Sequence, residues 1–214
     1  MSKLVVFGAT GYAGGRITDE ALRRGHEVVG VARKAEGLPA DVEARAGSMH
    51  DAGFVADVTK GADVIVIATP GRVNDEGQKL LDALPTLADA ARAAGARLSF
   101  VGGAASLLVA EGGPRLLDTP DFPDAYKSEA SSHAEVLAAL RELPGDVEWF
   151  YVSPAAEFGA WNAGERTGSF RVGGDVLLSD EEGRSQIGGD DFAIAFVDEI
   201  DEPRHSRARF TVAY

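Results

Sequence analysis

Three glycines constrain this chain more than any other feature: Gly8, Gly11 and Gly14 in the run Gly8-Ala9-Thr10-Gly11-Tyr12-Ala13-Gly14. Before them, Leu4-Val5-Val6-Phe7 is an unbroken β-prone run of the kind shown by a strand buried on both faces. After them, Tyr12 to Arg24 reads as a helix with Ile17, Ala21 and Leu22 near one face and Gly25 as its stop, and His26 to Ala32 reads as a second strand. Strand, glycine loop, helix and strand within about 30 residues make a β-α-β unit. In that setting the first glycine permits a tight turn, the second lets backbone approach a pyrophosphate, and the third lets the helix pack closely on the strand. A phosphate then meets free N–H groups at the positive end of the helix dipole. Gly8, Thr10, Gly11, Tyr12, Ala13 and Gly14 are therefore expected to bind a dinucleotide.

The alternation continues. The pattern predicts a short helix over 51–59, a strand over 63–68, a helical stretch over about 75–94 that Pro85 kinks or divides, and a strand over 97–101. A helix over about 124–141 and a strand over 148–152 follow. Strands alternating with helices imply a doubly wound parallel sheet of α/β class, covered on both faces. The texture then changes, for 158–190 holds eight of the 26 glycines and no helical period, with short β-like runs at 169–172 and 176–178. We expect one Rossmann-like domain over 1–214, with 155–190 as a small C-terminal substrate lobe over the cleft. A helix over 190–200 and a strand over 208–212 return to the sheet.

Composition removes several classes of function. The chain has no cysteine, which excludes disulfides, thiolate catalysis and zinc–thiolate sites, so any redox chemistry must come from a bound cofactor. Acidic residues outnumber basic ones 34 to 21, and a net charge of -13 repels nucleic acid and anionic membranes. No stretch approaches the ~20 apolar residues of a membrane span. The apolar run at residues 4–7 is too short for a signal peptide, so a cytoplasmic location is expected. No His and acid cluster has metal-ligand spacing, and no metal is expected.

The spacing Gly-x-x-Gly-x-x-Gly, with Ser153-Pro154-Ala155-Ala156, Gly164-Glu165-Arg166-Thr167-Gly168 and Phe210-Thr211-Val212-Ala213-Tyr214, resembles the extended and atypical short-chain dehydrogenase/reductases. Within that superfamily the chain is most similar to the NADH-flavin reductase-like proteins, relatives of the NmrA-like and biliverdin-reductase-B-like proteins. The resemblance covers nearly the whole chain. It implies that Asp51 of Gly47-Ser48-Met49-His50-Asp51 lies near the adenine, although Ser48 stands where the family usually has Asp. It also implies that Pro154 and Ala155 approach the nicotinamide.

The end of the second strand bears on cofactor choice. An acidic residue there would bind the adenosine ribose; this chain has Ala32-Arg33-Lys34, and Arg33 can pair with a 2′-phosphate as a guanidinium fork. NADP(H) is the expected cofactor, with NAD(H) possible. Ala68, Thr69 and Pro70 follow the central strand beside the topological switch point, and Gly102 and Gly103 follow the next strand on the same edge, so these loops should line the cleft.

Ketone-reducing members of the superfamily use a Tyr and a Lys four residues later on one helix face. Here Tyr126 is followed directly by Lys127, and the i+4 position is Ala130. Hydride transfer to a flavin, quinone or similar conjugated acceptor needs no strong side-chain acid, because the charge formed spreads over the ring and water can protonate it. Ser106 and Tyr126 are candidate catalytic residues in the role of orienting donors. His133, alone on its helix, reads as a packing or surface residue. Phe158, Trp161 and Phe170 could stack on a planar acceptor, although aromatic residues more often pack. The same missing pair suits a second reading, an NmrA-like dinucleotide sensor with a protein partner. A third reading, an epimerase or dehydratase, ranks below both, since those proteins usually keep the Tyr and Lys.

Overall fold

The computed structural model describes all residues, 1–214. Eight strands form one sheet: β1 (Lys3–Phe7), β2 (Glu27–Ala32), β3 (Glu43–Ala46), β4 (Val64–Ile67), β5 (Arg97–Val101), β6 (Trp149–Ser153), β7 (Arg171–Gly173) and β8 (Ala208–Ala213). Their order is β3-β2-β1-β4-β5-β6-β8-β7. Every neighbouring pair is parallel except β7 with β8, where Val172 faces Val212 in antiparallel register. Five α-helices cover the sheet: α1 (Tyr12–Arg23), α2 (Ala52–Val58), α3 (Leu84–Ala94), α4 (Asp124–Arg141) and α5 (Gly189–Asp201). This is the doubly wound α/β architecture, and the strand order reverses between β1 and β4.

The sheet separates two apolar bodies. Because side chains alternate along a strand, Val5 and Phe7 of β1 point into one, with α2, α3 and α4, while Leu4 and Val6 point into the other, with α1 and α5. Trp149, Tyr151, Phe150 and Phe192 are among the largest side chains fully enclosed. Burying such a side chain contributes roughly 1.5–3 kcal/mol relative to leaving it exposed.

The structure corrects the sequence expectation in three places. The stretch over 75–94 is not one helix: Asn74 Oδ1 accepts from the backbone N–H groups of Glu76 and Gln78 and holds a turn, Leu80–Ala83 is a 3₁₀ turn, and α3 starts at Leu84 with Pro85 in its first turn. Pro lacks an N–H where no intrahelical partner exists anyway, so here it starts a helix rather than kinking one. β3 was not anticipated; it is a short edge strand, Glu43-Ala44-Arg45-Ala46, largely exposed. The run at 176–178 makes only an isolated bridge from Val176 to Leu108, while β7 takes up residues 171–173.

Candidate cofactor-binding and active site

Gly8 ends β1 with φ +89°, a conformation that L side chains rarely adopt, and its N–H donates to the Val31 carbonyl at 2.8 Å. Across the switch point, a Cβ on Gly8 would lie 2.4 Å from the Ala68 carbonyl oxygen. Gly11 is the N-cap of α1 and contributes no side-chain cap. A Cβ on Gly14 would lie 2.2 Å from the Gly8 carbonyl oxygen, so only glycine lets α1 sit this close to the turn. The backbone N–H groups of Thr10, Tyr12, Ala13 and Gly14 donate to no protein acceptor. Four unclaimed donors around a helix N-terminus, with Thr10 and Gly11 exposed, fit a bound pyrophosphate. A cleft of about 390 Å³ opens beside this loop, lined in part by Ala9, Thr10, Gly15, Thr18 and Glu36.

Tyr12 is held from both sides, with the Arg16 guanidinium 4.1 Å from its ring centroid and the Phe158 ring edge-on at 5.4 Å. Burial raises the pKa of its phenol. Arg33 follows β2 and is 79% exposed; its one partner is Asp75, at 3.0 Å, in the segment that follows β4. An exposed pair of this kind contributes ~0–1 kcal/mol and leaves the guanidinium free to exchange partners. Asp51 caps α2, its Oδ1 accepting from the Phe54 N–H at 3.0 Å. Gly47 lies against the Phe54 ring, where a Cβ would come within 2.4 Å.

Ala68, Thr69 and Pro70 leave the carboxyl end of β4, with Pro70 exposed, and the Ala68 N–H donates to the Phe7 carbonyl at 2.8 Å. Gly71, next in line, is closed over by α4: a Cβ there would lie 2.8 Å from His133 Cδ2 and 2.9 Å from the Glu129 carbonyl. His133 is thus a buried packing residue whose Nδ1 has no partner. Burial pulls its pKa below the usual histidine range, against the opposing charge of Glu129.

Gly102 and Gly103 leave β5. Gly102 lies on the Tyr151 ring, where a Cβ would fall 2.0 Å from Cε1, and Gly103 N–H donates to the Tyr151 hydroxyl at 3.4 Å. Tyr151 in turn donates to the His133 carbonyl at 3.3 Å, and full burial pushes its pKa well up. Ser106 lies in a short 3₁₀ turn after these glycines, and its Oγ accepts from Arg209 Nη1 at 3.1 Å. Arg209 is 7% exposed on β8, and its remaining donors go to Asp175, Ser153 Oγ and the Ser106 carbonyl. With Arg209 as donor, the Ser106 O–H hydrogen is left to point elsewhere. Tyr126, in the first turn of α4, is 61% exposed, while Lys127 pairs with Asp124 at 2.6 Å. Pro154 and Ala155 at the end of β6 are buried.

Of the three aromatic candidates, Phe158 packs on Phe192 at 4.6 Å and Phe170 packs on the α1/α5 core, whereas Trp161 is 73% exposed. The linker from β6 to α5 is pinned by Asp191, which accepts from Thr167 N–H and Oγ1–H, Gly168 N–H and the Tyr214 hydroxyl. Burial alone would raise the Asp191 pKa, but these donors outweigh it and hold the carboxyl low. Sequence reasoning missed Arg209, Asp175, Tyr151 and Asp191. Arg209 had a signal, a lone cation inside the apolar run Ala208-Arg209-Phe210-Thr211-Val212. No group of three or more His, Asp or Glu side chains is placed to hold a metal ion, and no helix is long and apolar enough to cross a membrane.

A strand order that reverses at a glycine loop, with unclaimed amides at a helix N-terminus, defines a dinucleotide-binding protein of the Rossmann class. The chain belongs to the NAD(P)H-binding family, whose model matches residues 8–203. Three solved structures are similar over essentially the whole chain. An exported protein from Burkholderia pseudomallei is 41% identical with TM-score 0.86, covering 100% of both chains. A candidate epimerase from Bacteroides thetaiotaomicron is 33% identical with TM-score 0.88, over 100% of this chain and 97% of that one. A candidate NADH-flavin reductase from Streptococcus pneumoniae is 32% identical with TM-score 0.80, over 100% and 99%.

Proposed function

We propose that this protein is a cytoplasmic reductase that takes hydride from NADPH and delivers it to a flavin, quinone or similar conjugated acceptor. The observation that carries this reading is the pairing of a dinucleotide cradle with a helix that lacks the ketone-reducing arrangement: Tyr126 is exposed, and Lys127 is tied to Asp124 instead of facing a tyrosine one turn back. The similar Streptococcus pneumoniae protein, named for flavin reduction, points the same way. When bound, the cofactor supplies the hydride; a proton from water completes the two-electron reduction of the acceptor.

The chain's own groups bind and orient. Amides at Thr10 and Tyr12 to Gly14 hold the pyrophosphate, Arg33 exchanges Asp75 for the 2′-phosphate, and the loops at Ala68–Pro70, Gly102–Gly103 and Pro154–Ala155 line the nicotinamide end. Segment 155–190 forms the acceptor side of the cleft. Ser106, polarised by Arg209, offers its hydroxyl hydrogen to the acceptor.

Titration with NADPH and NADH, followed by absorbance loss on adding riboflavin or a quinone, tests the proposal. Tight NADPH binding with acceptor-dependent oxidation is the expected result. Tight binding without oxidation by any acceptor would replace it with a dinucleotide sensor acting through a protein partner, a role that the same missing Tyr and Lys also suits.

A further inference from the structure

Arg33, the proposed partner of the 2′-phosphate, already holds an anion. In the sheet β1 lies between β2 and β4, so the segments that follow β2 and β4 leave the carboxyl edge about 10 Å apart, on either side of the glycine loop. Arg33 directly follows β2 and Asp75 lies in the segment after β4, yet Arg33 Nη1 donates to Asp75 Oδ2 at 3.0 Å. The contact therefore reaches across the carboxyl end of β1, where Gly8 opens the cradle.

The backbone that carries Asp75 is held in a closed turn. Asn74 Oδ1 accepts from the N–H groups of Glu76 and Gln78 at 3.0 and 2.8 Å, the Asn74 N–H donates to the Gln78 carbonyl at 3.0 Å, and the Asn74 carbonyl accepts from the Gly77 N–H at 3.0 Å. Gly77 has φ +80°, a value that favours glycine. The turn presents the Asp75 carboxylate to Arg33 while leaving that side chain 93% exposed, with no other partner. Such a pair exchanges readily, but the exchange has a direction. A 2′-phosphate that takes Arg33 either displaces Asp75 or sits beside it, and in both cases two anions share one cation. NADH brings no 2′-phosphate and leaves the pair as it is.

We infer that Asp75 is a specificity-determining residue of the cofactor site: it competes with the 2′-phosphate for Arg33 and holds NADPH affinity down without affecting NADH. This rests on the 2′-phosphate role of Arg33. The preference between the two cofactors is then a balance of two side chains on opposite sides of β1, and not the work of Arg33 alone.

Titrations with NADPH and NADH, read by cofactor fluorescence, test the inference. At about 20 mM salt Asp75→Asn lowers the NADPH Kd roughly three- to fivefold and moves the NADH Kd less than about twofold. At about 300 mM salt the NADPH gain shrinks, because the groups are exposed and screened. Glu76→Gln removes the same charge one residue along, in a carboxylate whose partner is Asn74 Nδ2 and not Arg33, and changes the NADPH Kd less than about twofold. In an Arg33→Ala background Asp75→Asn no longer tightens NADPH, a coupling that the double-mutant cycle reads directly.

An NADPH Kd unmoved or raised by Asp75→Asn, while Arg33→Ala still weakens NADPH, overturns the inference and leaves the 2′-phosphate role standing. Equal tightening of NADPH and NADH, or equal effects of Asp75→Asn and Glu76→Gln, also overturns it, since net charge and not contact with Arg33 would then be at work. An NADPH Kd that Arg33→Ala leaves unchanged removes the 2′-phosphate role itself, and the inference with it. None of these readouts needs turnover, so the result does not depend on finding the acceptor.

Discussion

Adjacent glycines in the first turn of α1 should respond to alanine with opposite signs. Both Gly14 and Gly15 lie inside the helix, where replacing glycine by alanine ordinarily stabilises by ~1 kcal/mol. At Gly15 the new Cβ would meet only the Ala9 carbonyl, at 3.4 Å, an ordinary contact. At Gly14 it would lie 2.2 Å from the Gly8 carbonyl oxygen and 2.8 Å from its carbon, and both are backbone atoms that no rotamer change can move. Relieving that overlap requires α1 to shift by roughly 1 Å, and overpacking of this kind costs about 1–3 kcal/mol, which exceeds the propensity gain. Urea unfolding at fixed pH should place Gly15→Ala above the parent protein by roughly 0.5–1 kcal/mol and Gly14→Ala below it by about 1–2 kcal/mol. The same shift displaces the amides of Tyr12 and Ala13, so NADPH affinity in Gly14→Ala should fall at least about tenfold, or 1.4 kcal/mol. Equal stability and equal NADPH affinity for the two variants would refute the claim that close approach selects glycine at position 14.

Three further outcomes are expected. Arg33→Asp should weaken NADPH binding on the order of tenfold or more while leaving NADH affinity nearly unchanged, checked by paired titrations; equal losses would remove the 2′-phosphate role. Tyr126→Phe should keep turnover within about threefold of the parent, since hydride transfer to a conjugated acceptor needs no side-chain acid; abolished turnover with intact NADPH binding would make Tyr126 an acid after all. His133, whose pKa burial lowers, keeps its neutral form to lower pH in the folded chain than in the unfolded chain, which takes up a proton below about pH 6.5. Its contribution therefore makes stability fall as pH drops below that value, by at most about 1.4 kcal/mol per pH unit, with Glu129 opposing the effect. Urea midpoints measured from pH 7.5 down to 5.5 should fall more steeply for the parent than for His133→Leu, and parallel curves would count against a neutral buried imidazole.

What the sequence made legible follows from how much each element is buried. β1, α1, β2 and β5 announce themselves because their apolar residues fill the cores on either side of the sheet. β3 left no such trace: an exposed edge strand of alternating charge and alanine looks like a loop until its backbone is seen pairing with β2. The turn at 74–79 was hidden for a different reason, since its cause is one asparagine side chain substituting for backbone bonds, a local effect without periodicity. At the candidate site, the glycines were legible from spacing, but their neighbours were not. That Gly71 faces His133 and Gly102 faces Tyr151 depends on α4 and β6, segments about 60 and 50 residues away along the chain. The burial of Arg209, with its links to Ser106 and Asp175, likewise depends on strands brought together by topology alone.

The separation of the two apolar bodies by the sheet has a consequence for how such a protein can change over generations. Few side chains in 68–79, 102–123 and 154–170 belong to either body; Ala105, Leu107, Pro154 and Ala155 are the buried apolar ones, and Ala68, Phe158 and Phe170 lie half-buried against the body of α1 and α5. A few rim groups anchor the scaffold, with Gly71 against His133, Gly102 against Tyr151, Phe158 between Tyr12 and Phe192, and Thr167 and Gly168 on Asp191, while the exposed positions between them touch neither body. The scaffold can thus hold its dinucleotide cradle constant while the exposed rim positions are rewritten, a division of labour in which only a few anchoring groups belong to both the part that must be kept and the part that is free to drift.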